Sequence, residues 1–448
     1  MSQPCAARPS ASARPMHRAA PVTSATRRTG GRQGLEAERW PVDDGSLIYN
    51  AAMKPNSAQP DSLPVPDDIA FAHSRALAQR IAEEIAAAGG WLPFDRYMEL
   101  ALYAPALGYY SGGSVKFGRG PDDGSDFVTA PELSPLFAQV FARPVADVLD
   151  ATGTRHVVEF GAGTGKFAAG LLRKLDTLGV GCARYTIVEL SGELRERQRA
   201  ILVQTAPELA ACVEWVDAMP PRVDGVIVGN EVLDAMPVRL FARLGGLWHE
   251  RGVAVADASR FVFADRPLAA AAVPAALASV PGQHDYVTET HDAAAAFVHT
   301  VCSVLCHGAA MFVDYGFPGA EYYHPQRSDG TLMCHYRHRA HGDPFLYPGL
   351  QDITAHVQFS AIGQAAHDAG AHLLGYTSQA RFLVNAGMTD ALAQLDPADP
   401  ARFLPAANAV QKLLSEAEMG ELFKVIAFRR GFDAALGAFE RGDRSHML

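Results

Sequence analysis

The hydrophobic pattern changes character three times along the chain. Behind Pro66, Asp67 and Asp68 can cap a helix whose apolar positions Phe71, Leu77, Ile81 and Ile85 recur near helical spacing. That helix is predicted to end at Gly89 and Gly90, and a second short one to run from Pro93 to Leu102. From His156 the pattern turns to buried strands alternating with amphipathic helices. Val157 to Phe160 is followed by a glycine turn and a helix from Lys166 to Leu178. Then come Tyr185 to Leu190, a helix through Arg199, Cys212 to Val216 and Val223 to Gly229. A helix over Ala293 to Cys306 and a strand from Ala309 to Asp314 complete the run. Strand and helix in this order read as a parallel, doubly wound α/β sheet of Rossmann type. Val238 to Phe263, with Gly245, Gly246 and Gly252, reads as a hairpin inserted in or extending that sheet. After Tyr315 the chain is His- and aromatic-rich and is then expected to be helical to the end.

Before the first helix the chain has no apolar periodicity. Met1 to Gly34 carries Arg8, Arg14, Arg18, Arg27, Arg28 and Arg32 and no acidic residue, the composition of a disordered tail or a transit peptide. Because the whole chain uses six lysines against 33 arginines, the arginines here reflect a general bias rather than a targeting signal. Met53, just before the first helix, is an alternative start, and a bacterial, cytoplasmic protein is expected. The expected organisation is a leader over 1–65, a helical and loop cover over 66–150, a Rossmann-like domain over 151–320 and a further region over 321–448.

Composition narrows the function classes. At 448 residues, with 48% hydrophobic and 20% charged residues, the chain is globular. Its net charge of −10 argues against a nucleic-acid groove, which needs a basic face, and favours a cationic partner. No stretch approaches the roughly 18 consecutive apolar residues of a membrane span. Cys5, Cys182, Cys212, Cys302, Cys306 and Cys334 form no C-x-x-C pair, so a reducing compartment is expected and a structural zinc site is not. His324, His335, His338, His341 and His356 lack metal-ligand spacing, and no metal is expected.

The strongest local signal is Val157-Val158-Glu159-Phe160-Gly161-Ala162-Gly163-Thr164-Gly165-Lys166, a buried strand opening through three glycines onto a helix. A phosphate loop would need Gly at 160 and a hydroxyl residue at 167, and both positions hold Phe. The dinucleotide fingerprint would need Gly at 166, where a lysine stands. G-x-G-x-G is instead typical of S-adenosylmethionine enzymes. Glu189 ends the second strand, where a carboxylate can accept from both ribose hydroxyls, and Asp217 follows the third, placed for an adenine amino group. Glu159, inside the first turn, can face a ligand ammonium or the loop amides. Singly, each acid also reads as an ordinary strand-end or capping carboxylate. The fourth strand ends in Asn230-Glu231-Val232-Leu233-Asp234-Ala235-Met236-Pro237. Asn230, Glu231 and Asp234 can hold a cationic acceptor and take its proton, or Asn230 can cap a helix with acids in its first turn.

With these residues the chain resembles the MidA-like class I methyltransferases, whose mitochondrial members are the complex I assembly protein arginine methyltransferases. The resemblance runs from Arg80 to Phe428. It is carried by Gly108-Tyr109-Tyr110-Ser111, Asp126 to Phe137, the glycine turn, Asn230 to Val238 and Val313-Asp314-Tyr315-Gly316. Asp329-Gly330-Thr331-Leu332, Pro348-Gly349, Asp352 to Val357, Thr377-Ser378-Gln379 and Met419 to Lys424 continue it. It implies a class I methyltransferase fold with a helical N-terminal cover and an extra C-terminal region. It also implies S-adenosyl-L-methionine as cofactor and a protein arginine as acceptor, symmetric dimethylarginine on a complex I subunit being the product of the mitochondrial members. By position, Glu159, Gly161, Gly163, Gly165, Glu189, Asp217, Thr129 and Pro131 would bind the cofactor. Glu231, Asp234 and Asn230 would be catalytic, and Glu132, Asp314, Tyr315 and His356 would bind substrate. A homodimer is compatible with this reading. Two departures stand out: Gly120 to Ser125 enlarges the loop before Asp126, and the Arg-rich leader has no counterpart in bacterial relatives. A non-catalytic assembly chaperone that keeps the fold and a small-molecule methyltransferase are the alternatives.

Overall fold

A computed structural model describes residues 63–111, 129–257, 260–278 and 280–448. Residues 1–62, which include Met53 and nearly all of the leader, and residues 112–128, which include Gly120 to Ser125 and Asp126, lie outside the described residues.

The central sheet is built from β1 (His156–Phe160), β2 (Arg184–Val188), β3 (Val213–Val216), β4 (Val223–Asn230), β5 (Leu305–Phe317), β6 (His372–Ser378) and β7 (Phe423–Arg430). Their spatial order is β6-β7-β5-β4-β1-β2-β3. All neighbours are parallel except β7, which runs antiparallel to both β5 and β6. Every residue of β1 is buried, as a strand covered on both faces requires. The chain leaves β1 toward β2 and β3 and returns on the other side to β4. The C-terminal ends of β1 and β4 therefore border the crevice where open α/β sheets bind ligands.

Two helical layers close the sheet. On one face α3 (Pro135–Thr152) packs on α4 (Lys166–Thr177), with Phe141 and Phe167 ring centroids 5.4 Å apart, over Val157, Tyr185 and Val226. On the other, α6 (Asp292–Val304) and α7 (Phe359–Asp368) cover Val158, Ile227 and Phe312. The expected N-terminal helices are α1 (Asp68–Ala87) and α2 (Phe94–Tyr103), and Asp67 caps α1 by accepting the Ala70 amide at 2.8 Å. Phe71, expected on the buried stripe of α1, is exposed, and Ser74 occupies that face with Leu77, Ile81 and Ile85.

Two further expectations are corrected. Arg239–Leu244, Leu247–Asp257 and Arg260–Pro267 do not extend the central sheet. They form a separate antiparallel sheet with Leu92–Pro93 and Tyr286–Thr290, packed against α1 and α2 through Leu77, Phe94, Tyr97, Val253 and Phe261. The region after Tyr315 is not helical to its end. It supplies β6 and β7 and a three-stranded sheet of Met333–Tyr336, Arg339–His341 and Asp352–Thr354, so a domain boundary at 320 would cut through the central sheet. Among the described residues, no helix is long and apolar enough to cross a membrane.

Candidate functional site

Gly161, Gly163 and Gly165 all take positive φ (66°, 51° and 89°), a region that side chains with a Cβ rarely occupy. The turn is also tight: a Cβ on Gly161 would lie 2.5 Å from Val232 Cγ1, and one on Gly165 would lie 3.0 Å from Gln198 Cα. The glycine turn is thereby pressed between the segment after β4 and α5 (Gly192–Thr205).

The carboxylates around it have different surroundings. Glu159 is buried and accepts the Tyr185 hydroxyl at 2.7 Å, and burial pushes its carboxyl up to about 8. Glu189, just past β2, takes the Ser191 amide on Oε1 at 2.9 Å and the Gln198 side-chain amide on Oε2 at 3.1 Å. Asp217, just past β3, is exposed and paired with Arg195, whose guanidinium also donates to the Glu189 carbonyl. Glu189 and Asp217 thus stand side by side at the sheet edge with one arginine between them.

Pro131 and Glu132 belong to a single helical turn, Ala130–Leu133, with Thr129 at its N-cap position, directly after the undescribed residues. The Ala130 amide acts on the Glu231 carboxyl in the direction of its ionised form. Glu132, expected to meet substrate, is already engaged: Thr164 donates to its Oε1 and Lys166 to its Oε2. Both partners lie in or directly after the glycine turn, so Glu132 fastens that turn to the N-terminal cover.

The acceptor-side residues converge beyond β4 and β5. Residues 231–238 form an irregular turn rather than a helix, so Asn230 caps nothing, and Glu231 adopts φ 54°, uncommon for a residue with a side chain. Asn230 Nδ2 donates to Glu231 Oε1 at 2.8 Å. Asp314 was expected to touch substrate, but it is fully buried and organises this turn instead. Its Oδ2 accepts the amides of Val232, Leu233 and Asp234 at 3.1, 2.8 and 3.4 Å, and its Oδ1 that of Tyr315 at 3.0 Å. The Tyr315 hydroxyl acts on the Asp234 carboxyl in the direction of its ionised form. His356 packs edge-on to Tyr315, with ring centroids 5.2 Å apart, and burial holds its imidazole down at about 3, hence neutral.

Burial raises Asp234 to about 6, and burial together with the nearby Asp234 charge raises Glu231 to about 8. Among the described residues, Asp234 Oδ1 and Asn230 Oδ1 are buried acceptors without a hydrogen-bond partner. Such acceptors are costly unless a donor arrives, and a cationic, multi-donor group would satisfy both and restore the ionised carboxylates.

Sequence reasoning missed three contributors. Tyr103 donates to the Ala235 carbonyl at 3.0 Å, and Tyr110 to Asp352 Oδ1 at 3.0 Å. Their rings stack at 5.4 Å, so the N-terminal cover reaches the turn that carries Asp234. Gln198 is the third, and its only signal in the sequence is an amide at a position of α5 otherwise suited to an apolar side chain.

A family model described as "Putative S-adenosyl-L-methionine-dependent methyltransferase" matches residues 140–377, more than half of the chain. A Burkholderia thailandensis protein, crystallised bound to S-adenosyl-homocysteine, is 70% identical. The match covers 86% of this chain and 100% of that one at a TM-score of 0.85. A native crystal structure from the same organism is 67% identical with the same coverage and a TM-score of 0.81. More distant is "Protein arginine methyltransferase NDUFAF7, mitochondrial" of Danio rerio, 26% identical over 382 residues, 78% of this chain and 86% of its own length. The Drosophila melanogaster homologue is 26% identical over 425 residues, 86% and 90% of the two chains.

Proposed function

The chain belongs to the family of S-adenosyl-L-methionine-dependent methyltransferases, and we propose that it methylates an arginine side chain of a protein partner, a respiratory complex I subunit. The observation that carries the acceptor assignment is the pair of buried oxygens Asp234 Oδ1 and Asn230 Oδ1, unpartnered among the described residues, beside the Glu231 carboxyl. A guanidinium presents several N–H donors in one plane and is the side chain best matched to such a set. The names of the distant relatives support the same acceptor. A cytoplasmic setting belongs to the proposal.

The residues present fit the cofactor. The glycine turn holds three positive-φ residues packed directly on Val232 and Gln198, a conformation glycine adopts readily, and each Glu189 oxygen carries one hydrogen bond and keeps room for another. In the proposal, Gly161, Gly163 and Gly165 cradle the cofactor's amino-acid end with Glu159 beneath them, and Thr129 and Pro131 flank it. Glu189 takes the ribose hydroxyls and Asp217 the adenine edge. When bound, S-adenosyl-L-methionine supplies an electrophilic methyl group on a sulfonium. Glu231 and Asp234 bind and orient the acceptor guanidinium so that one nitrogen faces that methyl in line, and positioning of this kind supplies much of the acceleration. A guanidinium stays protonated in water, so Asp234, whose backbone amide is held by Asp314, receives its proton during or after transfer.

The deciding experiment compares complex I subunits from cells carrying the native protein and cells carrying only Asp234→Asn, by mass spectrometry of arginine methylation. Loss of a methylarginine in the variant cells is expected. Identical methylation would sink the arginine and complex I assignment. Labelled methyl appearing only in low-molecular-weight products would redirect it to a small guanidine.

A further inference from the structure

We propose that Gln198 is a positioning residue that sets recognition of the cofactor's ribose, by locking the Glu189 carboxylate to the glycine turn. This deepens the cofactor site of the proposed function and rests on that reading.

α5 is largely solvent-facing: Gln198 and Leu202 are its two buried residues, and Gln198 is fully buried. A primary amide in that position is unfavourable unless its donors and acceptor are satisfied, and here they are. Nε2 donates to the Gly163 carbonyl at 3.1 Å and to Glu189 Oε2 at 3.1 Å, while Oε1 accepts the Trp215 indole N–H at 2.8 Å. One side chain therefore ties together the turn after β1, the end of β2 and the end of β3.

The consequence for Glu189 is specific. Its carboxylate is held by two donors on opposite oxygens, the Ser191 amide and Gln198, which fixes its plane and leaves one acceptor direction on each oxygen. That is the arrangement a vicinal diol needs. Without Gln198 the carboxylate keeps only the Ser191 amide, and Arg195, already on the Glu189 carbonyl and Asp217, stands within the same cluster as a competing cation. An apolar residue of equal length would fill the space equally well and lose this control.

The test is calorimetric titration of S-adenosylhomocysteine and its 2′-deoxy analogue into native protein, Gln198→Met and Gln198→Glu. Native protein should prefer the ribose form by about 10-fold or more, the effect of a hydrogen bond to a charged group. In Gln198→Met, S-adenosylhomocysteine should weaken about 10-fold while the deoxy analogue changes less than about twofold, so that the preference collapses. Gln198→Glu keeps the size and the acceptor toward Trp215 but sets a carboxylate against Glu189. It should collapse the preference in the same way, and it carries the test if the Met variant fails to fold. Equal weakening of both ligands, or none, overturns the proposal and leaves Gln198 a packing residue. Failure of native protein to bind either ligand overturns the cofactor reading itself, and shows before any substitution is made.

Discussion

Asp314 sets the backbone of Asp234 from 80 positions away in the sequence: its Oδ2 accepts the Asp234 amide at 3.4 Å together with those of Val232 and Leu233. A carboxylate buried among four amide donors acts as a cap for a turn that has no regular structure of its own. In Asp314→Asn, an N–H group would face those amides or leave them short of an acceptor. The expected result is a stability loss of about 1–3 kcal/mol and a lower turnover, with cofactor affinity less affected. Denaturant unfolding alongside cofactor titration checks this, and unchanged stability would count against the capping role.

Asp234→Asn separates acceptor chemistry from cofactor binding. Turnover should fall by about 100-fold or more, the range expected for loss of a proton-accepting group, while S-adenosylhomocysteine affinity stays within about threefold. The same variant should be more stable than native protein at pH 8. The folded-state carboxyl is raised to about 6, so the fold favours the protonated form and loses stability as pH rises through that value. The neutral amide removes that loss. A melting temperature that is higher at pH 8, with a smaller difference at pH 5, is the expected pattern.

The fold could be read from the sequence wherever its cause was local. β1, the glycine turn and α4 follow from a short apolar run, three glycines and a helical pattern within about twenty residues. β7 escaped the sequence reading because Lys424 interrupts its apolar run, although the lysine is buried there against Glu421. The candidate site divides in the same way. Glu189 and Asp217 were identifiable as strand-end acids, but their partners Gln198 and Arg195 sit on a helix. The pairing of Glu132 with Lys166 spans 34 positions and that of Asp314 with Leu233 spans 81, and no local pattern announces either. Family resemblance marks Glu132 and Asp314 as candidate substrate-binding residues; in the fold their carboxyls meet Thr164 and Lys166 and the amides of 232–234.

Gly161→Ala should weaken cofactor binding through the turn itself. The new methyl group would meet Val232 Cγ1 at 2.5 Å on a backbone with φ 66°, so the turn or Val232 must move. Adding Val232→Ala removes the clash but not the backbone strain, and should restore part of the lost affinity. Full binding by Gly161→Ala alone would mean that the turn does not contact the cofactor. The double variant assigns any remaining loss to the backbone.

The acidity of the acceptor site predicts a pH profile. Burial raises Asp234 to about 6, and burial with the neighbouring Asp234 charge raises Glu231 to about 8. Below those values the two carboxyls are neutral and cannot pair with a guanidinium; above them both are ionised. For a cationic acceptor, kcat/KM should therefore climb between about pH 6 and 8, since it reports ionisations of the free enzyme. The two groups lie close enough to titrate as a pair, so the rise should be broad rather than a single sharp step. In Glu231→Gln the remaining carboxyl loses a negative neighbour, and the midpoint should move to lower pH. Cofactor affinity is measured over the same range to separate the two sites, because Glu159, beneath the glycine turn, is also raised to about 8 by burial. A flat kcat/KM profile from pH 5.5 to 8.5, or one unchanged in Glu231→Gln, would show that these carboxyls do not receive the acceptor.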